Sequence, residues 1–138
     1  AYYVFGRNAA YTDTGSFAVQ AGVDISRANL AVEVIAQELR RMVDEPIPAE
    51  EIQKAKRYLI GHTVLNQEDP SGRIFFGLRR ELLDDGWVDL DTVIRGIEAV
   101  TPEDLQRVGR RVVTLDRAVL AGVGPLDDVD GLRAALGA

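Results

Sequence analysis

The feature that most restricts the fold of this chain is an imbalance between strand-forming and helix-forming sequence. The segments Tyr2–Arg7 and Ser16–Ala21 are rich in aromatic and β-branched residues, with Tyr11-Thr12-Asp13-Thr14-Gly15 as turn chemistry between them. That pattern predicts a β-hairpin. In its second strand Phe17, Val19 and Ala21 alternate with Ser16, Ala18 and Gln20, so one face enters a core and the other stays small or polar.

Helical spacing then takes over. Asp24 is an N-cap for a long amphipathic helix carrying Leu30, Ala31, Val34, Ile35, Leu39, Met42 and Val43, broken at Pro46 and Pro48. A second helix starts near Ala49, with Glu50 and Glu51 in its positive first turn and Ile52, Ala55, Leu59 and Thr63 inward, and ends near Asn66 to Glu68. Asp69 caps a third, with Pro70 at its first position, a stripe of Ile74, Phe75, Leu78 and Leu82, and Gly86 as its stop. After Trp87 a short helix covers about Leu90 to Val100, and Thr101-Pro102-Glu103-Asp104 opens another with Leu105, Val108 and Val112 on its core side. The apolar run Arg117 to Gly124, stopped by Gly124-Pro125, predicts a buried closing strand, and a helical piece from Val129 to Leu136 follows.

No linker, low-complexity tract or fixed-period repeat interrupts the chain, so one partial domain over 1–138 is expected: hairpin 1–23, helical region 24–115, closing strand 116–125, tail 126–138. The fold class is α+β in the order ββαααα(α)β, an antiparallel-type sheet packed on helices. Three strands make a small sheet for so many apolar helix faces. The remaining strands are expected upstream.

Composition removes several chemistries. One His (His62) and no Cys exclude cysteine-based zinc sites, disulfide frameworks, cysteine nucleophiles and histidine-rich metal centres from these residues. A net charge of −6 repels a polyphosphate, so no nucleic acid partner is expected. No apolar run is long enough to span a bilayer and no basic amphipathic stretch suggests lying on one, so no membrane partner is expected either. The cytoplasm is the expected compartment, any leader lying upstream of Ala1.

Candidate side chains have ordinary readings as well. His62, beside the inward face of the second helix, reads as a structural or surface histidine. Asp84-Asp85 before Gly86, and Asp127, Asp128 and Asp130 before Gly131, read as solvated acidic turns; a calcium loop would need acids where Leu126 and Gly137 stand. The doublets Arg40-Arg41, Arg79-Arg80 and Arg110-Arg111 read as solvated helix faces. The glycines Gly122 and Gly124 form no phosphate-binding motif. Tyr2 and Tyr3, adjacent on a strand, point to opposite faces, so one can fill the core while the other faces a cleft. On chemistry alone packing is the leading reading for both.

One ordered set of segments goes further: Ala1-Tyr2-Tyr3, the strand from Asp13 to Gly22, the break Pro46-Ile47-Pro48, Glu50 to Lys56, Leu65 to Arg73, Ile97 to Leu105 and Val119 to Pro125. Together they resemble the pitrilysin/insulinase family of zinc metallopeptidases, of the processing-peptidase type, over nearly the whole chain. The resemblance implies half of a metallopeptidase α/β roll, the C-terminal half of a C-terminal domain. The family's inverted H-x-x-E-H zinc motif is absent from these residues, so His62 is not made a ligand, and zinc is expected in the parent protein rather than here. The family also places an Arg and a Tyr against the substrate; the Tyr matches Tyr2, and the Arg would fall before Ala1.

The resemblance thus implies a fragment of a zinc-dependent endopeptidase that forms the wall of a substrate chamber, is not catalytic by itself, and offers Tyr2 to the scissile carbonyl. Its implied partners are a peptide substrate, the upstream half of its own domain, a zinc-bearing domain and a second subunit in a homo- or heterodimer. The alternatives are a non-catalytic scaffold or partner subunit of the same family, in which Tyr2 only packs, and a self-standing α+β binding module.

Overall fold

The computed structural model describes residues 1–83 and 88–137. It is α+β: a hairpin of β1 (Tyr3–Ala10) and β2 (Gly15–Gly22), then α1 (Ala28–Asp44), α2 (Ala49–Leu65), α3 (Pro70–Leu83), α4 (Leu90–Ala99), α5 (Pro102–Val112) and α6 (Val129–Leu136). The expected stop at Gly86, the Asp84-Asp85 turn and Trp87 lie outside the described residues.

Local chemistry sets these boundaries. The antiparallel ladder runs from Tyr3 opposite Gly22 to Ala10 opposite Gly15, closed by the Tyr11 amide donating to the Thr14 carbonyl at 2.8 Å. Asp24 accepts from the Ser26 amide at 2.9 Å and caps a single 3-10 turn that leads into α1. Asp69 accepts from the Gly72 amide at 2.8 Å, and Asp89 from the Thr92 amide at 2.6 Å. Thr101 and Asp104 bond reciprocally at the start of α5, each side chain accepting from the other's amide at 3.1–3.2 Å.

The chain gathers into two compact units, Ala1–Pro46 with Gln106–Ala138, and Ile47–Leu105. In the first, α1 and α6 lie side by side and are tied at both ends. The Asn29 side chain donates to Asp128 at 2.8 Å, and the Arg40 guanidinium donates to the Leu136 carbonyl at 2.8 Å. Ala36, on the same α1 stripe as Asn29 and Arg40, is 0% exposed, and Leu132 in the middle of α6 is buried. In the second unit α2 packs on α4: Ile52 is buried, and Lys56 donates to the Glu98 carbonyl at 2.7 Å.

The closing strand expected over 116–125 is not paired. Leu115–Arg117 form a 3-10 turn, and the sheet is two-stranded among the described residues. A strand is held by a neighbour's backbone, and among the described residues β1 and β2 pair with each other while the apolar run joins neither. Among the described residues the apolar stripe of α3 is likewise uncovered, with Ile74, Phe75, Leu78 and Leu82 all exposed.

Candidate functional site

Tyr2 sits one residue ahead of β1. Its amide donates to the Gly22 carbonyl at 2.7 Å, so the ladder fixes its backbone, while its side chain is 79% exposed. Beyond it the two faces of the hairpin differ. Val4, Val19 and Ala21 turn toward Leu30, Ala31 and Val34 of α1 around an apolar cavity of about 370 Å³, with Arg27 and Glu38 also on its lining. On the other face Tyr3 and Phe5 stack with ring centroids 5.7 Å apart, and the Tyr3 ring lies so close over Gly22 that a Cβ there would meet it at 2.5 Å. Opposite Phe5 and Arg7 stand Gln20 and Ala18.

Neither tyrosine therefore fills the core. Tyr2 precedes the first paired residue of β1, and Tyr3 lies on the face turned away from α1. What results is an exposed phenol on a fixed backbone, one residue ahead of a strand that carries a stacked Tyr3–Phe5 pair on one face. A phenol so held can donate a hydrogen bond to a carbonyl oxygen brought alongside it.

The other candidates separate. His62 is exposed on α2, with its Nδ1 3.2 Å from the Asn66 side-chain amide nitrogen and its ring 6.0 Å from that of Tyr58. Among the described residues no group of three or more His, Asp or Glu side chains is placed to hold a metal. A catalytic zinc takes three protein ligands. One imidazole engaged with an amide does not meet that requirement, so this donor set does not fit the family's zinc.

Asp128 has a specific task within the acidic turn. It accepts from the Gly131 amide at 2.8 Å at the start of α6 and from Asn29, and these bonds hold its carboxyl below the usual aspartate value. The Ser26 hydroxyl and amide do the same for Asp24, and the Thr92 amide and hydroxyl for Asp89. Of the arginine doublets, Arg41 pairs with Glu38 at 2.6 Å, Arg40 caps α6, and the Arg80 guanidinium lies 5.2 Å from the Phe76 ring centroid. Gly137 after Leu136 signals a helix end in the sequence, but nothing there points to Arg40, 96 residues away, as its partner.

Residues 1–59 match the family described as Peptidase M16 inactive domain. Over 133 residues the chain is 30% identical to an uncharacterized zinc protease of Streptomyces coelicolor, covering 96% of this chain and 29% of that protein. It is 26% identical over 125 residues to an uncharacterized zinc protease of Bacillus subtilis, covering 91% of this chain and 30% of that one. It is 32% identical over 108 residues to a probable mitochondrial-processing peptidase subunit alpha of Schizosaccharomyces pombe, covering 78% of this chain and 21% of the subunit. The chain thus spans less than a third of each of these relatives. The ordered segments, the hairpin-then-helices architecture and these matches agree: the chain belongs to the pitrilysin/insulinase-type M16 peptidase family, in its C-terminal domain.

Proposed function

We propose that these residues form part of the chamber wall of a zinc-dependent endopeptidase, and that Tyr2 reaches the scissile carbonyl of a bound peptide. The observation that carries the reading is the placement of Tyr2: an exposed phenol on a backbone pinned by the Gly22 carbonyl, one residue ahead of β1. Two relatives are called zinc proteases, and the matched family domain is called inactive, which suits a wall that carries no metal ligands. The metal belongs to another domain of the longer protein or to a partner subunit, and the reading routes nothing through His62. Tyr2 supplies a hydrogen bond to the carbonyl oxygen, strongest when that oxygen gathers negative charge and water is excluded.

The test is made on the full-length polypeptide with an unfolded peptide substrate. Loss of one oxyanion donor lowers kcat by about 100-fold or more, so Tyr2→Phe is expected to lower kcat by that order with KM little changed. An unaltered kcat in Tyr2→Phe would reduce Tyr2 to packing. The relative named as a processing-peptidase subunit alpha favours a second reading, a non-catalytic subunit that works beside a zinc-bearing partner. In that case peptide hydrolysis requires the added partner, and the effect of Tyr2→Phe is read on the pair.

A further inference from the structure

Along the hairpin one hydrogen bond falls out of step. The ladder opposes Ala10 to Gly15 and Tyr3 to Gly22, and bonded pairs recur at every second residue from Tyr11 and Thr14, so Tyr3 and Gly22 form the last bonded pair. In that register Tyr2 would face Val23. Its amide instead donates to the Gly22 carbonyl at 2.7 Å. Two residues of one strand thus oppose one of the other, which is the arrangement of a β-bulge, a device that ends pairing and re-aims a side chain.

Gly22 is the residue that this bulge turns on, and its own backbone does not require a glycine. Among the described residues only Gly124 and Gly137 have positive φ. What excludes a side chain is the Tyr3 ring: a Cβ on Gly22 would stand 2.5 Å from Tyr3 Cε1, 2.9 Å from Cζ and 3.0 Å from Cδ1. Carbon–carbon contact needs about 3.5–4.0 Å, so the ring would have to retreat by about 1 Å. Phe5, stacked on the same ring with centroids 5.7 Å apart, resists that shift. Gly6 in β1 is under no such constraint, because a Cβ there would meet Phe17 at an ordinary 3.6 Å.

We propose that Gly22 is a positioning residue for Tyr2. Its bare backbone lets the Tyr3 ring lie against the strand, and with Tyr3 so seated the preceding residue reaches the same carbonyl and is held there. The consequence for catalysis rests on the role proposed for the Tyr2 phenol; the hold on the Tyr2 backbone does not. A displacement of about 1 Å at a reacting group can cost about 100-fold in rate. The missing side chain at Gly22 therefore reaches the chemistry through Tyr2.

The full-length polypeptide is tested by two readouts, the exchange rate of the Tyr2 amide and the split between kcat and KM. Gly22→Ala is expected to speed Tyr2 exchange about tenfold or more and to lower kcat by about 10- to 100-fold with KM little changed. Removing the ring as well, in Gly22→Ala with Tyr3→Val, is expected to return both to within about threefold of Tyr3→Val alone, a rescue that general weakening of the strand would not show. Gly6→Ala is expected to leave the Tyr2 amide as it was. Unchanged Tyr2 exchange in Gly22→Ala overturns the proposal, and so does a loss that persists when Tyr3 is replaced. An unaltered kcat in Gly22→Ala, where Tyr2→Phe does lower kcat, overturns it as well and leaves the role of Tyr2 standing. If Tyr2→Phe leaves kcat unaltered, the role of the phenol falls, and the exchange rates alone decide whether Gly22 holds Tyr2.

Discussion

Asp128 shows how much one carboxylate does in a chain with so little buried surface. Its oxygens serve the α6 N-terminus through the Gly131 amide and hold α1 through Asn29, two neutral donors that favour the charged form. The folded carboxyl therefore titrates below the unfolded one. Its contribution is fully present at neutral pH and is lost as pH falls below about 4, through the folded value. Asn caps a helix about as well as Asp but does not titrate there. Asp128→Asn is thus expected to change the neutral-pH Tm little and to shrink the drop in Tm between neutral pH and about pH 2.5, read in thermal melts of both proteins. An equal drop in both would show that the carboxylate adds nothing to acid sensitivity. Asp24, Asp69 and Thr101 were legible as caps in the sequence, whereas Asp128 read as part of a solvated acidic turn and its capping of α6 came from the structure. The tie to Asn29 was not legible either, because a contact across 99 residues leaves no mark on local pattern.

At the scale of elements, the helices were readable because their ends are local events. Pro46 and Pro48 stop α1, Asp69-Pro70 starts α3, and Thr101 with Asp104 starts α5, each within a few residues of its cause. The run 117–124 has strand composition, but pairing is a long-range event that no local pattern settles, and among the described residues the run joins no ladder. The α1–α6 pair lies between these cases. An apolar stripe on α1 was visible, but Ala36 was not on it and the reason for close approach was not legible: Ala36 stands at the turns between Asn29 and Arg40, where only a methyl group separates α1 from its surroundings. Ala36→Leu adds three carbons at a site with no exposure, and overpacking of that kind costs about 1–3 kcal/mol. Chemical denaturation is expected to show a lower midpoint with an unchanged slope. An unchanged midpoint would mean that the two helices are not in close contact at this residue.

For the molecule as a whole, the sequence shows no linker, yet the folded residues divide into two compact units with chain crossings at Pro46–Ile47 and within α5. Each unit has its own small centre, Ala36 and Leu132 in one and Ile52 in the other, and many large apolar side chains of both stay exposed. Among the described residues no helix is long and apolar enough to cross a membrane. Exposed apolar surface on this scale is the kind that contact with other protein covers, which accords with the proposed chamber wall. Two small centres also imply two cooperative bodies. Truncating a buried Leu or Ile to Ala costs about 2–5 kcal/mol, enough to speed amide exchange at least about tenfold in the body that holds it. Leu132→Ala is expected to do so in α1 and α6 while leaving α2 and α4 within about threefold of their original rates, and Ile52→Ala to do the reverse. Exchange mapped helix by helix on both variants decides the matter, since equal acceleration in all four helices from either substitution would make the chain one cooperative body.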